Sequence, residues 1–113
     1  MIADDWVKEF QCAINVCDKE GNLLALNDKA VKLFEKDGGE KLIGTNIIDC
    51  HPEPERSMFK NMLNEGKVNC YILEKKDVSK FIYQAPWYKD SIYMGYVEFI
   101  MDIPSEVPIK NSK

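Results

Sequence analysis

The chain has a single histidine, no Cys-x-x-Cys pair, no long apolar run and no basic stretch, and each absence removes a class of function. A lone histidine without a serine and an acid at a recognisable spacing gives nucleophilic catalysis no residues to run on. No glycine-rich phosphate loop and no metal-ligand spacing is present either, so an enzyme is not expected. The densest basic point, Lys75-Lys76, reads as a solvated turn, and the net charge is −4 with a pI near 5.0. Nucleic acid and anionic membrane both need a basic patch, so neither is an expected partner. The first residues, Met1-Ile2-Ala3-Asp4-Asp5, lack the basic and apolar regions of a signal peptide. Charges break every apolar stretch well short of the roughly 18 residues a spanning helix requires. A cytoplasmic location is the expectation, and there Cys12, Cys17, Cys50 and Cys70 stay as free thiols.

What is present is one domain's worth of chain, 113 residues with 45% hydrophobic and 30% charged side chains. Residues 3–10 read as a short helix with Trp6 and Phe10 on one face. Residues 11–17 alternate as a strand, Asp18 to Gly21 make an acidic turn, and Leu23 to Leu26 form the return strand. Asn27 is a good N-cap for a helix carrying Ala30, Val31 and Phe34 and ending near Asp37-Gly38-Gly39. Residues 46–49 read as a single helical turn, and Cys50-His51-Pro52-Glu53-Pro54 as a break. A helix over roughly 54–65 sets Met58, Phe59, Met62 and Leu63 on one side, and Gly66 stops it. Strands follow at about 68–74, 80–88 and 92–102, before a tail from Pro104 that is expected to be mobile.

The last two strands are apolar on both faces. Tyr93, Gly95, Val97, Phe99 and Met101 share a face without charge, as do Phe81, Tyr83, Ala85 and Trp87, and these read as the core side. The opposite face carries Glu98 and Asp102 but also Ile92, Met94, Tyr96 and Ile100, too apolar to be simply solvated. The N-terminal helix or a second copy of the chain is expected to cover it, which makes Trp6, Phe10, Met94, Tyr96 and Ile100 the interface candidates. Cys12 and Cys70 fall on the faces read as interior.

The order Asp18-x-x-Gly21, Asn27, Gly44, Pro52, Pro86, Gly95 and a closing Asp102-Ile103 resembles the PAS superfamily over roughly residues 8–103. The resemblance implies an α+β fold: a five-stranded antiparallel sheet with short helices on one face and an N-terminal helix. Its division is an N-terminal helical cap over 1–10, the PAS-like domain over 11–103 and a flexible tail over 104–113. It implies a sensory or signalling module that binds a small ligand, a protein partner or both, and relays through its sheet face. The expected partners are a small molecule and a second copy of the chain or a signalling protein. No cofactor is named by the residues. Flavin-binding members carry Gly-x-Asn-Cys; here Gly44-Thr45-Asn46 is followed by Ile47, which excludes their cysteine photochemistry. The last hairpin carries Asp90-Ser91 where Asp-Gly is usual.

The pocket candidates are Phe34, Ile48, His51, Met58, Met62, Ile72, Tyr83, Val97 and Phe99. His51 has two readings: an axial haem ligand, as in haem-binding relatives, or part of a turn leading into the main helix, which is the favoured one. The haem reading, together with the cysteines, defines an alternative redox or haem sensor. Met58, Phe59, Met62 and Leu63 are a cavity wall or simply the core face of a helix. A further alternative is a ligand-free dimerisation scaffold, which follows if Phe34, Tyr83, Trp87, Tyr93 and Phe99 mostly point inward and fill the interior.

Overall fold

In the computed structural model, which describes residues 5–113, the chain turns on Asp18. The Asp18 carboxylate accepts from the amides of Glu20 (3.0 Å) and Asn22 (2.9 Å) and from Asn22 Nδ2 (3.1 Å). Gly21, with φ +91, supplies the positive dihedral this turn needs. The turn joins β1 (Ala13–Asp18) to β2 (Leu23–Leu26), and these pair antiparallel. Asn46 then stitches the following loop to the same turn. Its Nδ2 donates to Glu20 O and to Asn22 Oδ1, both at 2.9 Å, while its Oδ1 accepts from the amides of Ile48 and Asp49. This leaves residues 46–50 as one helical turn beside β2, with Cys50 N donating to Asn46 O.

Asn27 is the densest node. Buried at the end of β2, its Oδ1 accepts from Ala30 N (3.1 Å), capping α2 (Asp28–Leu33), and from Ile14 N (2.9 Å) in β1. Its Nδ2 donates to the carbonyls of Val7 (3.0 Å) and Cys12 (2.8 Å). One amide thus fixes α1 (Asp5–Lys8), β1 and α2 relative to one another. The Lys8–Asp28 ion pair lies beside it on the surface. Expected residues 1–4 of the N-terminal helix lie outside the described residues. Trp6 and Phe10 pack edge to face on each other and stay exposed.

The helix after Asn27 is shorter than the sequence suggests. It stops at Leu33 and continues as two 3-10 turns, Glu35–Asp37 and Gly39–Leu42, because Gly38 (φ +125) and Gly39 (φ +56) break the helical path. α3 (Glu55–Glu65) ends at Gly66, whose φ of +64 is a left-handed C-cap. β3 (Asn69–Lys75), β4 (Val78–Lys89) and β5 (Ile92–Ile103) complete a five-stranded antiparallel sheet in the order β2-β1-β5-β4-β3. The last hairpin manages without Asp-Gly: Asp90 (φ +50) and Ser91 (φ +67) both enter the left-handed region, as a type I′ turn requires. Pro104 to Lys113 forms no helix or strand, and no helix of the described residues is long and apolar enough to cross a membrane.

The helices cover one face of the sheet, and it is not the face expected to be core. Ala13, Ile82 and Ile100 pack against Ala30 of α2, with Leu26 and Phe34 around them. Cys17, Leu23 and Tyr96 pack against Leu63 of α3. Tyr96, Glu98 and Ile100 therefore point under the helices. Phe81, Tyr83, Ala85, Val97, Phe99 and Met101, at alternate positions, face outward. Cys70 shares this outer side and is exposed, whereas Cys12 and Cys17 are buried; all four are free thiols. The inversion has a simple cause: both faces are apolar, and the charges Glu98 and Asp102 make one look solvated, whereas Asp102 is exposed near the strand end and Glu98 lies under the helices.

β5 makes two special contacts. Gly95 pairs with Asp18 on one side and Trp87 on the other, and a Cβ there would sit 2.0 Å from Cys17 O. The Trp87 indole crosses this bare position and donates Nε1–H to Cys17 O at 3.1 Å. Tyr93 and Tyr96 hold α3 down. The Tyr93 hydroxyl donates to Leu63 O at 2.8 Å, and the Tyr96 hydroxyl shares its single proton between the carbonyls of Met62 and Lys67, both at 2.7 Å.

Three outcomes are expected from these contacts. Asn27→Ala loses the cap, a β1 bond and two carbonyl partners, and lowers stability by about 2–4 kcal/mol in urea titrations. Asn27→Asp keeps the cap but turns a carboxylate oxygen on the Val7 and Cys12 carbonyls, so it too is destabilised at neutral pH. Gly95→Ala forces β1 and β5 apart and costs about 3 kcal/mol or more, while Gly66→Ala, with open space around its Cβ, costs about 1 kcal/mol. Burial first, then the neighbouring Tyr96, Cys17 and Tyr88, push the Tyr93 phenol up to about 12 from its ordinary 10.0. The neutral phenol is the form the fold stabilises, so its contribution is complete below pH 10 and is lost as the pH rises from there through 12. Alkaline urea midpoints are therefore expected to fall less steeply over that window in Tyr93→Phe than in the parent chain.

Candidate functional site

Between the sheet and the helices lies a cavity of about 570 Å³. This is within the size range of small-molecule sites. Its walls are mostly apolar and aromatic: Leu23 and Leu26 from β2, Phe34 after α2, Phe59 and Met62 from α3, and Tyr71 from β3. Among the sequence-based pocket candidates, Phe34, His51 and Met62 line it. Ile48 packs into the neighbouring Leu63 cluster without lining the cavity. Met58 and Ile72 are exposed, at 62% and 60%, and contribute nothing to it. Tyr83, Val97 and Phe99 stand on the opposite side of the sheet, because the true inward residues are their neighbours. The same alternation corrects two interface candidates: Tyr96 and Ile100 are buried lining residues, while Met94 is half-buried.

The sheet floor carries a polar row that sequence reasoning missed. Asn15, Glu98, Gln84 and Asn69 are directly opposite one another across β1, β5, β4 and β3. Asn15 Nδ2 donates to Glu98 Oε1 at 2.8 Å, and Gln84 Nε2 donates to Glu98 Oε2 at 2.7 Å. Asn69 Nδ2 in turn donates to Gln84 Oε1 at 2.8 Å. The direction of every bond follows from one group. A carboxylate only accepts, so both flanking amides must present NH2 to it, and Gln84 is left with its oxygen toward Asn69. The available signal is a polar residue within the apolar stretch of β1, β4 and β5 and another at the start of β3, in one register row.

Glu98 colours its surroundings. Burial first, then the Glu98 charge, raise the Tyr71 phenol above its ordinary value. Cys17 is raised chiefly by burial, with Asp18 and Glu98 adding to it and a Tyr96 backbone hydrogen bond opposing it, so it remains an unreactive thiol. Across the cavity, His51 Nδ1 lies 2.6 Å from Ile47 O, and its ring meets Phe59 at 4.7 Å between centroids. A carbonyl can only accept, so Nδ1 carries a proton, and in the neutral ring the lone pair is on Nε2. Cys50 sits at the cavity edge, exposed. Among the described residues, no group of three histidine, cysteine or acidic side chains is placed to hold a metal ion.

No protein-family model matches the sequence, and no curated protein matches it significantly. Solved structures do. The PAS domain of BvgS from Bordetella pertussis superposes with a TM-score of 0.66 at 20% identity, covering 89% of this chain and 83% of that one. The PAS domain of the histidine kinase ThkA gives 0.64 at 21% identity, covering 80% and 98%. The Aer2 receptor from Vibrio cholerae, a dual PAS-haem oxygen sensor, gives 0.60 at 19% identity, covering 82% and 95%. Strand order, the helices on a single face and these superpositions together give the chain the PAS fold.

Proposed function

We propose that this chain is a PAS-type sensory module that binds a small molecule between its sheet and helices and passes its occupancy to a partner protein. The observation that carries this is the cavity itself: about 570 Å³, apolar-walled, with a hydrogen-bonded polar row across its floor. A few placed polar groups in an apolar enclosure are the composition of a binding site rather than of a packing defect. The superposed Aer2 receptor is an oxygen sensor and the ThkA domain comes from a histidine kinase, which supports the same reading.

The relay follows from strand alternation. Glu98 and Gln84 touch the cavity, while Val97, Phe99, Tyr83 and Ala85, their chain neighbours, form the outer face. A ligand that binds two positions of β4 and β5 unequally therefore moves both surfaces at once. The partner assigned to the outer face is a second copy of the chain, on the strength of its large apolar surface.

Haem is the second reading, favoured by the free Nε2 of His51 and by the Aer2 likeness. The residues present fit it poorly. Haem brings two carboxylates, and among the described residues neither a lysine nor an arginine lines the cavity, whereas Glu98 and Asp37 do. No step is assigned to that group.

Native mass spectrometry of the chain purified without denaturation tests occupancy and stoichiometry together. The expected result is a dimeric mass with a small-molecule adduct that acid releases. Saturating ligand at about 100 times its Kd adds roughly 2.7 kcal/mol to stability. A bare monomer from several growth media, with no metabolite of any charge class raising the melting temperature, would instead leave a ligand-free scaffold.

A further inference from the structure

We infer that the cavity takes a cation: a small molecule with a protonated nitrogen on an apolar or aromatic body, held by Glu98 as its counter-ion. The inference rests on the cavity being a ligand site and names the class of its ligand.

Among the described residues, Glu98 is the only acidic or basic side chain on the cavity floor, and it is half-buried. Its two oxygens each accept one amide N–H, from Asn15 and Gln84, which leaves further lone pairs for a guest. Asn15 Oδ1 adds another acceptor, with no donor bonded to it among the described residues. Asn15, Gln84 and Asn69 each spend one N–H within the row and keep a second, so the row offers neutral donors as well as acceptors, and its one full charge is the Glu98 carboxylate. A ligand that engages this carboxylate must bring N–H or O–H groups.

Charge narrows this to N–H of a cation. The ion pairs among the described residues lie elsewhere: Lys8–Asp28, Lys29–Asp102, Arg56–Asp49, Lys67–Glu65 and Lys80–Asp102. Glu98 is therefore solvated only by neutral amides within the protein. A half-buried carboxylate gains most from a partner that is both charged and a donor. Asp37, exposed at the cavity edge, adds a second negative group on the way in. The aromatic walls suit the same guest, since ring faces attract a desolvated cation. An anionic ligand would face two carboxylates and no lysine or arginine.

The test uses the full chain, isotope-labelled with ¹⁵N, and three probes of similar shape: 2-phenylethylamine, 2-phenylethanol and 3-phenylpropionate. Backbone amide signals of Asn15, Gln84 and Glu98 and the side-chain NH2 signals of Asn15 and Gln84 report occupancy. The amine is expected to bind about tenfold or more tighter than the alcohol, and the carboxylate weakest. Glu98→Gln, nearly isosteric, is expected to erase the amine's advantage while leaving the alcohol's affinity in place. The inference is overturned if alcohol or carboxylate binds as tightly as the amine, or if the amine's advantage survives in Glu98→Gln. The charge series in the parent chain decides it even if that variant does not fold. Should none of the probes move these signals, both the inference and the ligand-site reading fall; equal binding by the three removes the inference alone.

Discussion

One buried amide sets the frame on which the rest depends. Asn27 satisfies a β1 amide, a helix N-terminus and two carbonyls of the N-terminal segment with a single side chain. No smaller set of bonds could fix those elements together, because each needs a partner of definite donor or acceptor sense. Asparagine carries both on one rigid plane held one methylene from the backbone, shorter by a carbon than glutamine. Aspartate could cap the helix but not meet the carbonyls, and serine could not reach both sides. The position of α2 over Ala13 and Ile100, and with it one end of the cavity, follows from that geometry.

The other end is placed by the first hairpin. Asp18 closes the turn, and Asn46 reaches across it to Glu20 and Asn22. That pairing carries residues 47–51 to the cavity, so His51 and Ile47 line it although they are far in sequence from β5. A surface turn and an interior wall are thus one construction. The third anchor is the pair of phenols beneath α3, which tie its last turn to β5 through backbone carbonyls rather than through extensive packing.

The parts of this arrangement that could be read in the sequence are those governed by local chemistry. Asp18, Gly21, Asn27 and Gly66 each act through bonds or dihedrals within a few residues, and each was placed correctly in a turn or a cap. The orientation of the sheet is a different kind of fact. Strands β4 and β5 are apolar on both faces, so alternation gives two solutions, and the two acids Glu98 and Asp102 tip the choice toward the wrong one. Tyr83, Val97 and Phe99 were read as pocket residues and Tyr96 and Ile100 as interface residues for that one reason. What resolves it is long-range: Asn15 and Gln84 fall opposite Glu98, and Asn69 opposite Gln84, only once the register is known. Four polar residues in one row are a network, whereas each alone looks like a solvated side chain.

The same row explains why there is a cavity at all. The large side chains that could have filled it, Tyr83 and Phe99, face outward, and Trp87 is spent covering Gly95. Inward positions are given instead to amides and a carboxylate, whose bonds to one another hold them flat along the sheet. Collapse of the helices onto this floor would strip water from Glu98 without supplying a cation, at a cost of several kcal/mol. The apolar walls favour closing, and the buried charge resists it. A cavity poised between these two forces stays open to whatever satisfies both, an apolar body carrying a positive nitrogen.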